Sequence, residues 1–184
     1  MLPPLMRRRL AAAVAAACLL AAATAGMSAC GEEESEHVIE GEPLELGELS
    51  YNVQLTRFLN PEDTEDAEYL VGQPPEQPGQ SYLGVFLVIQ NESEDELPSA
   101  ANYEVVDTQD QTFDPIESKS PYALEIGATV PAEDQLPVPD STAQTGPIQG
   151  AMLIFLVDDS VTENRPLELE IAGEDAAGTV ELDI

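Results

Sequence analysis

The sequence has few of the residues on which most catalytic and soft-metal sites depend. It contains no tryptophan, two cysteines and a single histidine, His37, among 184 residues. A Ser/His/Asp arrangement needs a histidine, and zinc or copper sites take cysteine, histidine or methionine ligands. His37 lies in an acidic stretch near the amino terminus, and Met152 lies within an apolar run. We therefore expect no enzyme activity, no cofactor and no soft-metal site.

Basic residues are also scarce, with six against 36 acidic ones and a formal net charge of −30. Half of the basic residues form the cluster 7–9, and the remaining three are Arg57, Lys119 and Arg165. Such a charge balance repels nucleic-acid phosphates and anionic lipid headgroups. We therefore expect no nucleic-acid partner and a solvated acidic surface.

The first 29 residues have the form of an export signal. The arginine cluster 7–9 is followed by the uncharged apolar run 10–25. This run is shorter than the roughly 20 residues that a helix needs to span a bilayer. We predict a signal peptide over residues 1–29, which would remove Cys18 and leave Cys30 without a partner for an intramolecular disulfide.

Met27, Ser28, Ala29 and Cys30 end this segment, and together they resemble the lipobox of bacterial lipoproteins. In that family a lipid is attached to the cysteine thiol, and the chain is cut just before it. The resemblance implies signal recognition through Met27, Ser28 and Ala29, and a membrane anchor at Cys30 on the extracytoplasmic side. The alternative is ordinary cleavage after Ala25, which would leave Cys30 as a free thiol.

Residues 30–47 are predicted to form a disordered acidic tether. The stretch 31–47 reads GEEESEHVIEGEPLELG, which is acidic, interrupted by glycine and without regular periodicity. Its 17 residues would reach about 55–60 Å when fully extended. His37 lies in this stretch, where we expect it to be solvated and without a chemical role.

From residue 48 to residue 184 the pattern predicts one β-sandwich. Residues 49–56 alternate, which places Leu49, Tyr51, Val53 and Leu55 on one face of a strand. Residues 82–90 and 148–157 are apolar on both faces, as central strands are. The total is seven to eight strands at the spacing of an antiparallel sandwich.

Two hairpins are predicted within this sandwich. One joins residues 103–106 to 112–116 through the loop 107–111, and the other joins 167–171 to 180–184. Residues 122–130 are consistent with either a short strand or an irregular segment. The proline-rich stretch 131–147 is expected to be irregular and to wrap over one end of the domain.

Several positions of this region also carry a family resemblance. They are the apolar strand ending at Asn91 and Ser93, then Val105, Val106 and Asp107 before Phe113 and Pro115, and finally Gly150, Phe155, Leu167 and Leu169. Residues 49–184 resemble the Ig-like, telokin-like domains of immunoprotective-extracellular type in bacterial surface lipoproteins. Asp110 stands where the family commonly has a turn glycine. The resemblance implies an Ig-like sandwich displayed outside the cell, and it brings no catalytic residues.

Acidic loops leave a hard cation as a further candidate ligand. Asp107, Asp110 and Asp114 surround the first hairpin, but no acidic run has the spacing of an EF-hand loop. The sequence therefore favours a lipid-anchored binding or accessory module, whose partner is an envelope protein or a cell-wall component. The alternatives are an acidic stand-off protein without a specific ligand, a surface domain that associates weakly with Ca²⁺, and a small hydrolase.

Overall fold

The computed structural model describes residues 36–184. The predicted signal peptide and the residues Met27, Ser28, Ala29 and Cys30 lie outside the described residues. Among residues 36–184, no helix is long and apolar enough to cross a bilayer.

The chain there is almost entirely β: twelve strands, the four-residue helix α1 (Thr142–Thr145) and one turn of 3₁₀ helix. The strands are β1 (Glu36–Ile39), β2 (Pro43–Leu46), β3 (Leu49–Leu59), β4 (Gln80–Asn91), β5 (Leu97–Pro98), β6 (Asn102–Val106), β7 (Thr112–Phe113), β8 (Thr129–Val130), β9 (Gln135–Leu136), β10 (Ala151–Asp158), β11 (Leu167–Ala172) and β12 (Ala177–Leu182).

Two sheets make the sandwich. Sheet A has the order β1-β12-β11-β6-β7, and sheet B has the order β10-β4-β3-β2, with β9 on the end of β4. Every strand pair is antiparallel except β1 with β12, which is parallel. The orders β3-β4-β10 and β12-β11-β6-β7 correspond to strands A-B-E and G-F-C-C′ of an immunoglobulin-like sandwich. The predicted all-β sandwich is confirmed, although residues 36–184 form twelve strands and not the predicted seven to eight.

The main core lies between the two sheets and follows from strand alternation. Successive side chains of a strand point to opposite faces, so alternate residues of β4 and β10 enter this core. Leu87 and Phe155 from sheet B pack there with Leu169 and Val180 from sheet A, and all four are fully buried. The remaining residues of β4 and β10 enter a second core on the outer face of sheet B, which includes Phe86, Met152 and Ile154.

The prediction of a disordered tether over residues 30–47 is wrong for residues 36–46. Strand β1 pairs with β12, and β2 pairs with β3, so this segment contributes one strand to each sheet. Leu44 is fully buried in the main core, and its Cδ1 lies 2.7 Å from where a Cβ on Gly178 would be. Close packing against that glycine therefore outweighs the acidic composition of the segment. His37 is exposed in β1, opposite Thr179.

The predicted face of Leu55 is also wrong. The register of β3 against β4 shifts between Val53 and Leu55, which makes Gln54 the extra residue of a β-bulge. A bulge reverses the facing of every later residue. Val53 consequently lies in the main core, whereas Leu55 packs on the outer core opposite Phe86.

Both predicted hairpins form, but the first is shorter than predicted, because Pro115 and Ile116 pair with β10 and not with β6. Strand β6 pairs with β7 through the loop Asp107–Gln111, and β11 pairs with β12. Strands β4 and β10 are neighbours in sheet B, with both faces covered. Only β4 is central as predicted, because β10 lies at the edge of the sheet. Residues 122–130 are irregular apart from the two-residue strand β8 at their end. The stretch 131–147 is largely irregular too, and it contains only β9 and α1.

Candidate binding cleft at the edge of strand β10

The outer face of sheet B is covered by loops. Tyr69 packs edge-on against Phe86, with ring centroids 5.1 Å apart, and lies 4.8 Å from the ring of Tyr122. The Tyr122 hydroxyl donates a hydrogen bond of 2.9 Å to the carboxylate of Glu68. These contacts hold the 60–79 loop and the 116–124 segment over the even-numbered residues of β10.

Strand β10 lies at one edge of sheet B, and a first loop segment covers part of that edge. Ala123 forms a parallel bridge with Met152. The Met152 N–H donates to the Tyr122 carbonyl at 2.7 Å, and the Leu124 N–H donates to the Met152 carbonyl at 2.9 Å. The chain then leaves the strand, because no further bridge follows within this segment.

A second segment covers the edge farther along β10. Pro115 forms an antiparallel bridge with Phe155, and the Ile116 N–H donates to the Ile154 carbonyl at 2.8 Å. The two loop segments thus reach β10 from either side of residues 153 and 154, and they leave a gap between them.

An unpaired backbone donor lies in this gap. In an antiparallel strand the N–H and C=O of one residue point to the same side, so the Ile154 N–H points away from β4, as its carbonyl does. Within residues 36–184, this N–H forms no hydrogen bond. Buried backbone donors are almost always paired, so this N–H is suited to donate a hydrogen bond to a carbonyl oxygen of another molecule.

The gap is the floor of a cleft of about 480 Å³. This volume falls within the range of roughly 300–1,000 Å³ that is typical of ligand sites. Ile126 lines it with 42% of its surface exposed, as one of four large hydrophobic residues exposed to this degree or more within residues 36–184. Its apolar lining includes Ile116, Leu124, Ile126, Met152 and Ile154.

Carboxylates give the cleft its charge. Glu117 and Glu125 both line it and are exposed to solvent. Lys119, two residues after Glu117 in the sequence, has its aliphatic stem against Gly72, and neither residue lines the cleft. An apolar floor with an acidic rim favours a ligand that combines an apolar group with a positive charge.

A second cavity of about 350 Å³ lies beside the 60–79 loop. The Arg57 guanidinium is paired there with Asp66, whose side chain is only 1% exposed. The other Asp66 oxygen accepts a hydrogen bond of 2.8 Å from the Asn60 N–H. These contacts tie the loop to strand β3, which gives the carboxylate a structural function.

Tyr69 lines the same cavity. Its hydroxyl is buried and has no hydrogen-bond partner within residues 36–184. Burial raises the pKa of Tyr69, and this effect outweighs the opposing influences of the Ile148 backbone and the Arg57 charge. The hydroxyl therefore remains protonated at neutral pH and acts as a packing group of the outer core.

The candidate cation ligands Asp107, Asp110 and Asp114 do not form a metal site. Asp107 is buried, and its Oδ1 accepts hydrogen bonds from the N–H groups of Gln109 and Gln111, at 2.8 and 3.0 Å. Its Oδ2 accepts a bond of 2.8 Å from the Asn164 side-chain amide. Within residues 36–184, no group of three or more His, Cys, Asp or Glu side chains is placed to hold a metal ion.

The environment of Asp107 acts on its acidity in two directions. Burial raises the pKa of the carboxyl group, but the hydrogen bonds from Gln111, Asn164 and Gln109 together outweigh it, and the pKa is lowered. Asp110 adopts a positive φ of 59°, so it is the left-handed residue of the turn at the position where the resembled family commonly has glycine. Asparagine and aspartate tolerate this conformation better than most residues.

The cleft residues were not identified from the sequence. Ile116, Leu124 and Ile126 lie in segments without clear periodicity, so no local pattern distinguishes them. One signal was available: the even-numbered residues Met152 and Ile154 of β10 are apolar, which requires a covering layer outside the sheet. That signal does not reveal where the layer is interrupted.

Comparisons with known proteins found similarity among solved structures but not among family models or curated sequences. No protein-family model matches the chain, and no curated protein matches it in sequence. An uncharacterized β-sandwich protein of Clostridium difficile is similar in structure, with a TM-score of 0.49 and 12% identity, over 82% of this chain and 95% of that one. The YjhA protein of Bacillus subtilis has a TM-score of 0.49 and 15% identity, over 80% and 99% of the two chains. YcdA of Bacillus subtilis, provisionally classed as a lipoprotein, has a TM-score of 0.47 and 13% identity, over 78% of this chain and 38% of that one.

Proposed function

We propose that this protein is a lipid-anchored extracytoplasmic binding module. Cys30 carries the anchor, and the Ig-like sandwich, related to the domains of bacterial surface lipoproteins, presents the cleft at the edge of β10. The observation that carries the proposal is this cleft, with its exposed Ile126 and unpaired Ile154 N–H. The partner is an envelope protein or a cell-wall component, and the function needs no cofactor.

The physical argument for binding rests on what the cleft leaves unsatisfied. A buried polar group without a hydrogen bond costs about 1–3 kcal/mol, and an exposed aliphatic side chain forgoes about 25 cal/mol per Å² of apolar area that it could bury. A ligand that covers Ile126 and offers a carbonyl to Ile154 recovers both contributions. A purely structural protein gains nothing from either feature.

The anchor follows from the lipobox resemblance at Met27, Ser28, Ala29 and Cys30. A single acyl chain binds a membrane only marginally, whereas two chains hold it firmly, at about 0.8 kcal/mol for each buried CH₂ group. Six Cα–Cα steps separate Cys30 from the first residue of β1, so the domain would lie within about 20 Å of the lipid attachment point. This short connection disfavours the alternative of a stand-off protein, which needs a long spacer.

The anchor is tested by a Cys30→Ser substitution in the full chain. We expect the wild-type protein in the membrane fraction and the variant in the medium or another soluble fraction. The control is an Asp110→Asn variant, which should fractionate with the membrane like the wild type. A Cys30→Ser protein that remains in the membrane fraction would refute the lipid anchor.

The binding function is tested with the mature chain carrying Cys30→Ser as bait for solubilised envelope extracts. We expect a captured component that is lost when Ile126→Glu is added. Val138→Glu is the matched control, because Val138 is 43% exposed, close to the 42% of Ile126, and does not line the cleft. Capture that is equal for both variants, or absent throughout, contradicts a binding role for the cleft.

A further inference from the structure

We infer that the cleft at the edge of β10 binds an extended, basic segment of a partner protein, with an aliphatic side chain in the cleft and lysine or arginine residues beside it. The inference rests on the proposed binding function and specifies its ligand. Three features of the cleft carry it: the backbone donor of Ile154, the apolar lining around Ile126, and the acidic rim.

The backbone donor points to a peptide. An extended peptide that joins the edge of a sheet gains affinity from main-chain hydrogen bonds and specificity from pockets for alternate side chains. Ile154 offers such a bond at the one part of the β10 edge between the bridges at Met152 and Phe155. A carbonyl of the incoming segment accepts this hydrogen bond.

The lining specifies the side chain that enters. Ile116 from one loop segment and Leu124 and Ile126 from the other line the cleft together with Met152 and Ile154. Because the side chains of a strand alternate in direction, one residue of the bound segment enters this cleft. Its immediate neighbours then point away from the floor, toward the rim and the solvent.

The rim specifies the charge of those neighbours. Glu117 and Glu125 are exposed on the two loop segments that border the cleft. Residues 36–184 contain only three basic side chains, and all but three of the 36 acidic residues of the chain lie there. The negative electrostatic field of these acidic residues attracts an approaching basic segment, and Glu117 and Glu125 bind it at the rim.

The same charge argues against a second copy as the occupant. A homodimer would bring two strongly acidic surfaces together, and like-charge contacts across an interface oppose association. None of the three basic residues, Arg57, Lys119 and Arg165, lines the cleft. The described part of this chain therefore lacks the basic apolar segment that the cleft would bind.

The test uses the mature chain carrying Cys30→Ser and blocked synthetic peptides of sequence KLKVKLK, KSKSKSK and ELEVELE. Fluorescence anisotropy at low salt should show saturable binding of the first peptide, at least about tenfold weaker binding of the second, and no binding of the third. A tenfold difference corresponds to about 1.4 kcal/mol. Equal binding of the two basic peptides would overturn the inference, because charge alone would then explain it.

A matched pair of variants separates the cleft from the general acidic field. Glu117→Gln with Glu125→Gln should weaken KLKVKLK about tenfold. Glu174→Gln with Asp175→Asn removes the same charge from the exposed turn between β11 and β12, and it should change binding less than about twofold. Equal losses in the two double variants would overturn the assignment to the cleft.

Hydrogen exchange supplies a readout that belongs to the backbone contact. The amide of Ile154 should exchange more slowly when KLKVKLK is bound, while the amide of Ala177, at the start of β12, should not change. A slower exchange at both amides would indicate general stabilisation and contradict the strand-edge contact. Sedimentation of the free chain as a dimer that Ile126→Glu dissociates would make a second copy the occupant and refute the peptide.

The outcomes also separate this inference from the function on which it rests. If KLKVKLK does not bind, but envelope capture is still lost in Ile126→Glu and kept in Val138→Glu, the cleft is a binding site for a different chemistry. If capture is insensitive to Ile126→Glu as well, the proposed binding function itself is refuted.

Discussion

The carboxylate of Glu40 accepts a hydrogen bond from the backbone N–H of Thr56, with 3.1 Å between oxygen and nitrogen. Its second oxygen accepts one from the N–H of Asp183, also at 3.1 Å. Thr56 belongs to sheet B, and Asp183 follows the last strand of sheet A. One acidic side chain therefore connects the two sheets at the edge of the sandwich, where strand β2 no longer covers β3.

Replacing Glu40 by alanine should destabilise the fold by about 1–3 kcal/mol, because the buried N–H of Thr56 loses its acceptor. Glu40→Gln retains one acceptor oxygen and should recover part of the loss. Urea unfolding followed by circular dichroism measures both. Glu42→Ala is the control: Glu42 is exposed, so its change should stay within about 0.5 kcal/mol. Equal effects of Glu40→Ala and Glu42→Ala would contradict the connection.

The amino-terminal strands should contribute strongly to stability. Leu44 is fully buried, so Leu44→Ala is expected to cost about 2–5 kcal/mol through lost burial and the cavity left behind. Ile39→Ala changes a neighbouring residue that is 52% exposed, and it should cost much less. Thermal unfolding of the two variants distinguishes them. If Leu44→Ala unfolds like the wild type, this segment is not part of the folded domain.

The carboxylate of Asp107 should make stability depend on pH. A carboxyl group whose pKa is lowered by folding stabilises the protein above its unfolded pKa of about 3.8, and that stabilisation is lost as the pH falls through the lower folded value. Asp107→Asn should therefore unfold more easily at pH 7 and lose less additional stability between pH 5 and pH 2. Asn164, Gln109 and Gln111 provide the hydrogen bonds concerned, and Gln111 also donates to Asp158 at 2.7 Å.

The control for this pH dependence is Asp110→Asn. Asp110 is exposed and has a positive φ that asparagine also adopts. Its pH profile should follow that of the wild type, displaced by no more than about 0.5 kcal/mol. A profile of Asp107→Asn that is parallel to the wild type down to pH 2 would exclude Asp107 as the titrating group.

The pair of Arg57 and Asp66 should show coupling. Arg57→Met leaves a carboxylate that is 1% exposed without its cation, at a cost of about 1–3 kcal/mol once the partial exposure of the arginine is considered. The double variant with Asp66→Asn should lose less than the sum of the two single changes. Arg165→Met is the control, since Arg165 forms no ion pair within residues 36–184. Strict additivity in denaturant unfolding would mean that the pair does not interact.

The strands of the sandwich were predictable where the residues of a single strand form a clear apolar or alternating pattern. Strands β4 and β10 are continuous apolar runs, and β11 alternates between buried Leu169 and exposed Glu170. The β6–β7 hairpin was predictable because a polar five-residue loop separates two short apolar stretches. In each case the pattern comes from neighbours along the chain, which the sequence displays directly.

The predictions that failed concern segments whose structure depends on contacts with residues distant in sequence. Strand β2 has only Leu44 and Leu46 to bury, and its stability comes from Gly178, more than a hundred residues away. The bulge at Gln54 leaves no mark on the alternation of β3, because polar and apolar residues continue to alternate through it. The cleft also depends on distant segments, since residues 115–126 border a gap at residues 153–154.

The sequence by itself determined the scarcity of histidine, cysteine and basic residues, and it indicated the longer strands of the sandwich. From this composition we expect no histidine-based catalysis and no soft-metal site, and the alternation predicts a two-sheet sandwich. Only the tertiary structure decided that residues 36–46 belong to both sheets, that Asp107 is satisfied by amides, and that the β10 edge remains partly open. These features arise from packing and hydrogen bonds between segments that are distant in sequence. A local pattern of residue types does not show which distant segments will make such contacts.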